Sequence, residues 1–162
     1  MDTHSDDAVL QVAIQLEELG RDFYESLASV STDADMTRIC RGLALAESHH
    51  RDVFSHLRQE LAAQGRSILV ADADLAEARR VLKEVVVPDR SQMLQALLEG
   101  RPADLLDRAA EMERNSITYY RGLAEHMSEK GVVRTVLEEE LSHLRTLERL
   151  GFRLRAERAS AS

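Results

Sequence analysis

Glu47 and His50 stand three positions apart, and Glu140 with His143 repeats the pair in the second half of the chain. On a helix that spacing projects a carboxylate and an imidazole from one side, so both can reach the same metal ion or adjacent ions. A lone Glu-x-x-His on a charged helix is a weak signal, more often a solvated face or an ion pair than a ligand pair. Here it sits in a duplicated frame. Ala13, Leu16, Glu17, Phe23, Tyr24, Leu27 and Ala28 match Ala109, Met112, Glu113, Tyr119, Tyr120, Leu123 and Ala124 at every spacing. Each copy is followed by its Glu-x-x-His, so Glu, then Glu-x-x-His, occurs twice. This is the pattern of a four-helix bundle in which two helices supply one Glu each and the other two a Glu-x-x-His each, around a pair of metal ions.

Helical phase selects these carboxylates from their many neighbours. Glu17 shares a face with Ala13, Gly20 and Tyr24, whereas Glu18 aligns with Arg21 and Glu25 on the wet side. Glu113 shares a face with Ala109, Ala110, Ile117 and Tyr120, whereas Glu111 aligns with Asp104, Asp107 and Asn115. Glu47 and His50 lie on the stripe of Leu43, Phe54 and Leu57, and Glu140 and His143 on that of Val133, Val136 and Leu147. The candidate metal ligands are therefore Glu17, Glu47, His50, Glu113, Glu140 and His143. Four carboxylates in one core with no cationic side chain in phase need neutralising, because each uncompensated buried charge costs several kcal/mol. Two divalent cations balance them and leave both histidines neutral, the form in which imidazole ligates. Oxygen-rich ligation with one nitrogen per metal suits iron as Fe²⁺, or Mn²⁺, and Zn²⁺ would bind such a set as well.

Other residues are weighed against this frame. His49 is excluded because Ser142 holds the matching place in the second half, and His4, His56 and His126 read with it as surface or boundary residues. Tyr24 and Tyr120 each follow a ligand Glu by seven positions. They are either core filler or phenols that hydrogen-bond a carboxylate or a bound oxygen species, and the spacing leaves both open. Cys40 reads as a small core residue.

The elements that would position these groups are helical. Helix one is expected from an acidic cap at Ser5 to Asp7 through Val30, and helix two from Ala34 to Gln64, closed by Gly65. A long connection follows, with its own helical pattern over Leu75, Ala78, Leu82, Val85 and Val86, then Pro88, then a shorter helix from Ser91 through Leu98. Its length suits a crossover that returns the chain to the other end of the bundle. Helix three is expected from Ala103 to Ser128 and helix four from Gly131 to Leu150, with the Arg- and Ala-rich tail from 153 to 162 frayed. The expected fold is all-α, one domain over 1–152 plus that tail.

Composition agrees and excludes other classes. Aromatics are 4 % and charged residues 31 % of the 162, which with two prolines favours long helices over sheets. A single cysteine allows no internal disulfide and no Cys-x-x-Cys site for iron or zinc. The opening residues carry neither a basic nor an apolar run, and no stretch approaches the ~20 apolar residues that span a membrane, so the expectation is a cytoplasmic protein with no membrane partner. A formal charge of −8 argues against nucleic acid as a partner.

At these residues the chain resembles the rubrerythrin branch of the ferritin-like superfamily, over about Val9 to Leu150. Leu16-Glu17-Glu18-Leu19-Gly20-Arg21-Asp22-Phe23-Tyr24 is similar to that family's first-helix signature and Met112-Glu113-Arg114-Asn115-Ser116-Ile117-Thr118-Tyr119-Tyr120 to its third. The resemblance implies a ferritin-like four-helix bundle, dimeric, with a non-haem di-iron site whose carboxylates bridge the irons. It also implies reaction of the diferrous centre with hydrogen peroxide or O₂ to give a diferric centre and water. Full-length rubrerythrins carry a cysteine-rich rubredoxin domain that feeds electrons to this site. With Cys40 alone, the expected electron donor is another protein, or there is none. The family also places a further carboxylate one turn after the third-helix Glu, and that position is Ser116 here, which makes the six-ligand site more symmetric. Three functions follow as expectations: a di-iron oxidoreductase, a ferroxidase-type iron-handling protein, or a metal-stabilised interaction module.

Overall fold

A computed structural model describes residues 6–65, 75–76, 79–80, 82–83, 88–127 and 130–162. The long helices are α1 (Asp6–Val30), α2 (Ala34–Gln64), α4 (Pro102–His126) and α5 (Lys130–Ser160), with a short α3 (Arg90–Leu98) before α4. Local chemistry sets most of these ends. Asp33 caps α2 by accepting from the Met36 N–H at 2.7 Å, and Gly65 closes it in the left-handed region at φ 62°. Asp89 and Gln92 form a reciprocal capping box on α3, and Pro102 opens α4 where its missing N–H costs nothing. The Ser5 end of the expected first cap and Ser128 lie outside the described residues. So do Ala78, Val85 and Val86 of the expected crossover helix, while Leu75 and Leu82 are helical.

Buried apolar side chains form two clusters, and each long helix contributes to both. Val9–Leu16, Phe54–Leu61, Tyr119–Met127 and Val133–Val136 supply one cluster. Phe23–Ala28, Met36–Ala44, Leu105–Ala109 and Leu147–Leu154 supply the other. The order in which each helix meets them makes α1 and α5 run one way and α2 and α4 the other. Leu75 lies in the first cluster and Met93 and Ala96 of α3 in the second, so the connection crosses the length of the bundle, as its length suggests. On every long helix the buried polar residues fall between its two apolar stretches. Each fully buried Leu or Phe contributes about 1.5–3 kcal/mol. That is the driving force that lets a belt of carboxylates be dehydrated at the middle.

The tail departs from expectation. Instead of fraying beyond 152, α5 continues to Ser160. Leu154 falls one turn after Leu150 and packs in the second cluster, while Arg153 pairs with Asp33 at 3.0 Å and Arg155 with Asp107. A polar composition concealed this one apolar anchor and the carboxylates waiting on α2 and α4. Among the described residues no helix is long and apolar enough to cross a membrane.

Candidate metal centre

Glu17, Glu47, Glu113, Glu140 and His50 are each at most 4 % exposed, and the His143 side chain is 11 % exposed. Glu17 comes from α1, Glu47 and His50 from α2, Glu113 from α4, and Glu140 and His143 from α5. The six predicted ligands therefore meet at one level of the bundle. Nδ1 of His50 lies 2.9 Å from Glu140 Oε1 and 3.4 Å from Glu17 Oε2. Nδ1 of His143 lies 3.1 Å from Glu47 Oε1 and 3.6 Å from Glu140 Oε1. The two imidazoles stack with centroids 5.5 Å apart and planes 20° from parallel.

These donors divide into two overlapping groups, Glu17, Glu47, His50 and Glu140, and Glu47, Glu113, Glu140 and His143. Within each group one ligand atom per residue lies within 4.8 Å of all the others. Glu47 and Glu140 belong to both, which is the placement that bridging carboxylates require.

Tyr24 and Tyr120 are buried fillers whose hydroxyls also reach this set. Tyr24 of α1 donates to Glu113 of α4, and Tyr120 of α4 donates to Glu17 of α1. Each half of the duplicated frame thus braces the carboxylate of the other. The close approach of α1 to α2 depends on Gly20, where an added Cβ would lie 3.3 Å from Glu47 Cγ.

The electrostatics test whether cations fit. Among the described residues the buried polar and charged ones are Glu17, Glu47, His50, Glu113, Ser116 and Glu140, with no Lys or Arg. Glu17 Oε2, Glu47 Oε1, His50 Nδ1, Glu140 Oε1 and His143 Nδ1 are buried without a hydrogen bond, and all point into the cluster. Burial and the neighbouring carboxylates push the Glu47 and Glu113 carboxyls well above the usual range. Burial raises Glu140 as well. Burial also pushes Glu17 up, but the closeness of Glu47 and His50 and the hydrogen bond from Tyr120 outweigh it and hold this carboxyl low. His50 loses by burial but gains more from Glu140 and Glu17, rising to about 10, while burial and the charge of His50 push His143 down to about 4. Protons on buried carboxyls are what divalent cations would replace, so the donor set fits a metal pair.

The Rubrerythrin family model matches residues 8–151. The chain belongs to the rubrerythrin family. Among solved structures, one from Thermotoga maritima described as a ferritin-like diiron-carboxylate protein superimposes with a TM-score of 0.61 at 21 % identity, covering 93 % of this chain and 97 % of that one. It shares the ferritin-like fold. No curated protein sequence matches the chain.

Within this rubrerythrin-family site, Ser116 is buried beside Glu47 and Glu113, lining a cavity of about 10 Å³ with Leu16, Leu19 and Gly20. His49, His56 and His126 are exposed, and His4 lies outside the described residues. Cys40 is buried, and burial pushes its thiol up to about 12. Two participants escaped the sequence reading. Gly20 carried no signal beyond its phase, and Glu139 lies on the wet face of its helix yet places Oε2 2.6 Å from His50 Nε2.

Proposed function

We propose that this chain binds two iron ions through Glu17, Glu47, His50, Glu113, Glu140 and His143 and reduces hydrogen peroxide or O₂. The observation that carries the reading is the sharing of Glu47 and Glu140 between two buried donor groups, with no buried Lys or Arg among the described residues. Two adjacent redox-active ions would supply the two electrons that convert peroxide, with two protons, into two water molecules. The chain's own residues do the rest. Glu47 and Glu140, common to both donor groups, would hold the two ions together, and the O–H groups of Tyr24 and Tyr120 keep Glu113 and Glu17 oriented by a hydrogen bond. The cavity beside Glu47 and Glu113 has room for about one water-sized molecule, which favours a small oxidant as the reactant. A separate protein would return the electrons. Exposed Leu45, Leu98 and Phe152 support a second copy of the chain as partner.

Ser116 favours a second reading. The position where family members carry a further carboxylate holds a hydroxyl, and capture and oxidation of Fe²⁺ needs no such group. Anaerobic loading of the metal-free protein with Fe²⁺, followed by peroxide or O₂ in separate runs, distinguishes the two. Two equivalents per chain and a near-ultraviolet change faster with peroxide support the reductase. Continued oxidation of added Fe²⁺ by O₂, with no donor present, supports iron handling. Glu47→Ala or Glu140→Ala should remove a shared ligand and lower tight binding from two ions to one or none. Retention of both ions would overturn the ligand assignment.

A further inference from the structure

The duplicated halves differ beside their Glu-x-x-His pairs. Counting back from each Glu-x-x-His, the residue before Glu140 is Glu139 and the residue before Glu47 is Ala46. Glu139 reaches from α5 to α2, where its Oε2 lies 2.6 Å from Nε2 of His50. His50 itself is 1 % exposed, whereas the Glu139 side chain is 48 % exposed, so a carboxylate at the surface grips a ring that is wholly inside. Among the described residues His143 has no hydrogen-bond partner on its Nε2, and Ala46, with only a methyl, can offer none.

We propose that Glu139 makes the two metal positions unequal, so that the position served by His50 fills first and holds its ion more tightly than the one served by His143. This rests on the metal-binding reading above. With Glu139 accepting from Nε2–H, the nitrogen of His50 left for an ion is Nδ1, the atom facing Glu140 and Glu17. The ring plane is thereby set before any ion arrives, and once an ion displaces the Nδ1 proton the carboxylate behind the ring makes Nδ1 a better donor. His143 has its Nδ1 among Glu47, Glu140 and Glu113, but no side chain among the described residues hydrogen-bonds its Nε2. Its ring edge is nearer to water, its side chain being 11 % exposed against 1 % for His50. Losing such an outer partner lowers metal affinity about 10–100-fold. Glu139 is thus a positioning residue, and the difference between the halves is functional rather than drift.

Co²⁺ titration of the metal-free protein, followed by its visible ligand-field bands, tests this without turnover. The wild type should bind two ions in steps of unequal affinity. Glu139→Ala should weaken the first step about 10–100-fold and leave the second unchanged, so the steps merge. Glu139→Gln, which keeps an acceptor but removes the charge, should fall between, with the first-step bands nearer the wild type. Ala46→Glu should strengthen the second step and bring its bands toward those of the first. Because Glu139 and Ala46 are not in the buried core, helicity and thermal midpoint should confirm folding in each variant. Equal affinities in the wild type, or a Glu139→Ala variant that weakens both steps alike or neither, would overturn the proposal while leaving the metal reading intact. A wild type that takes up no Co²⁺ would overturn both.

Discussion

Tyr24 and Tyr120 show how much one oxygen can be asked to do. Each ring fills apolar space, with the Phe54 ring tilted against Tyr120 at 5.0 Å, while its hydroxyl satisfies a carboxylate that has left water. Removing one partner from a buried hydrogen bond costs about 1–3 kcal/mol, because the remaining group keeps its desolvation penalty. Tyr24→Phe and Tyr120→Phe should each lower stability by about that amount, read as the urea midpoint of the metal-free protein. A change below experimental error would mean that the phenols are filler alone. Gly20 supports a sharper contrast. Replacing a mid-helix glycine by alanine stabilises a helix by about 1 kcal/mol, yet here the new Cβ would press on Glu47 from 3.3 Å. Gly20→Ala should therefore leave the metal-free thermal midpoint near or above the wild type while weakening metal uptake, measured by titration. The six candidate ligands could be read from helical phase and the internal repeat, since being inside or outside is a property of one helix and the repeat separates His50 from His49. The partners of the phenols, and the reach of Glu139 to His50, could not, because each bond joins residues 89 or more positions apart.

At the scale of elements, helix ends were legible where a cap was local. Asp33 before Met36, Gly65 after Gln64 and Pro102 at the start of α4 act on backbone groups within a turn. The end of α5 was not, because its support comes from α2 and α4. Asp33 performs two tasks, capping α2 and receiving Arg153. Asp33→Ala should cost about 0.5–2 kcal/mol, the range for a lost N-cap. Arg153→Ala removes only a partly exposed ion pair and should cost about 0–1 kcal/mol. Urea unfolding of both variants checks the order, and an Arg153→Ala loss exceeding that of Asp33→Ala would show that the tail, not the cap, is the stronger tie.

For the whole molecule, the direction of the chain through the bundle could be inferred from the length of the crossover, but the meeting of four helices at one level could not be seen in any one of them. That meeting gives the metal-free protein an unusual response to pH. Glu47, Glu113 and Glu140 have folded-state values above their ordinary 4.5, so their contribution is complete below that value and is lost as pH rises through the raised ones. His50 has the same sign, complete below 6.5 and lost on the way to about 10. Glu17, held low, and His143, at about 4, act oppositely and lose their contribution as pH falls. With three carboxyls and His50 on one side, the metal-free thermal midpoint should fall between about pH 5 and about pH 9. With a divalent metal bound, deprotonated ligands are needed, so the midpoint should rise over the lower part of that range. Scanning calorimetry in matched buffers would show it, and parallel profiles with and without metal would contradict the assignment of these groups as ligands. The crossed phenols carry a last consequence. Tyr24 answers Glu113, and Tyr120 answers Glu17. In hereditary terms, a doubled gene segment ordinarily leaves one copy free to wander, whereas here the fitness of each copy is judged at a residue of its twin.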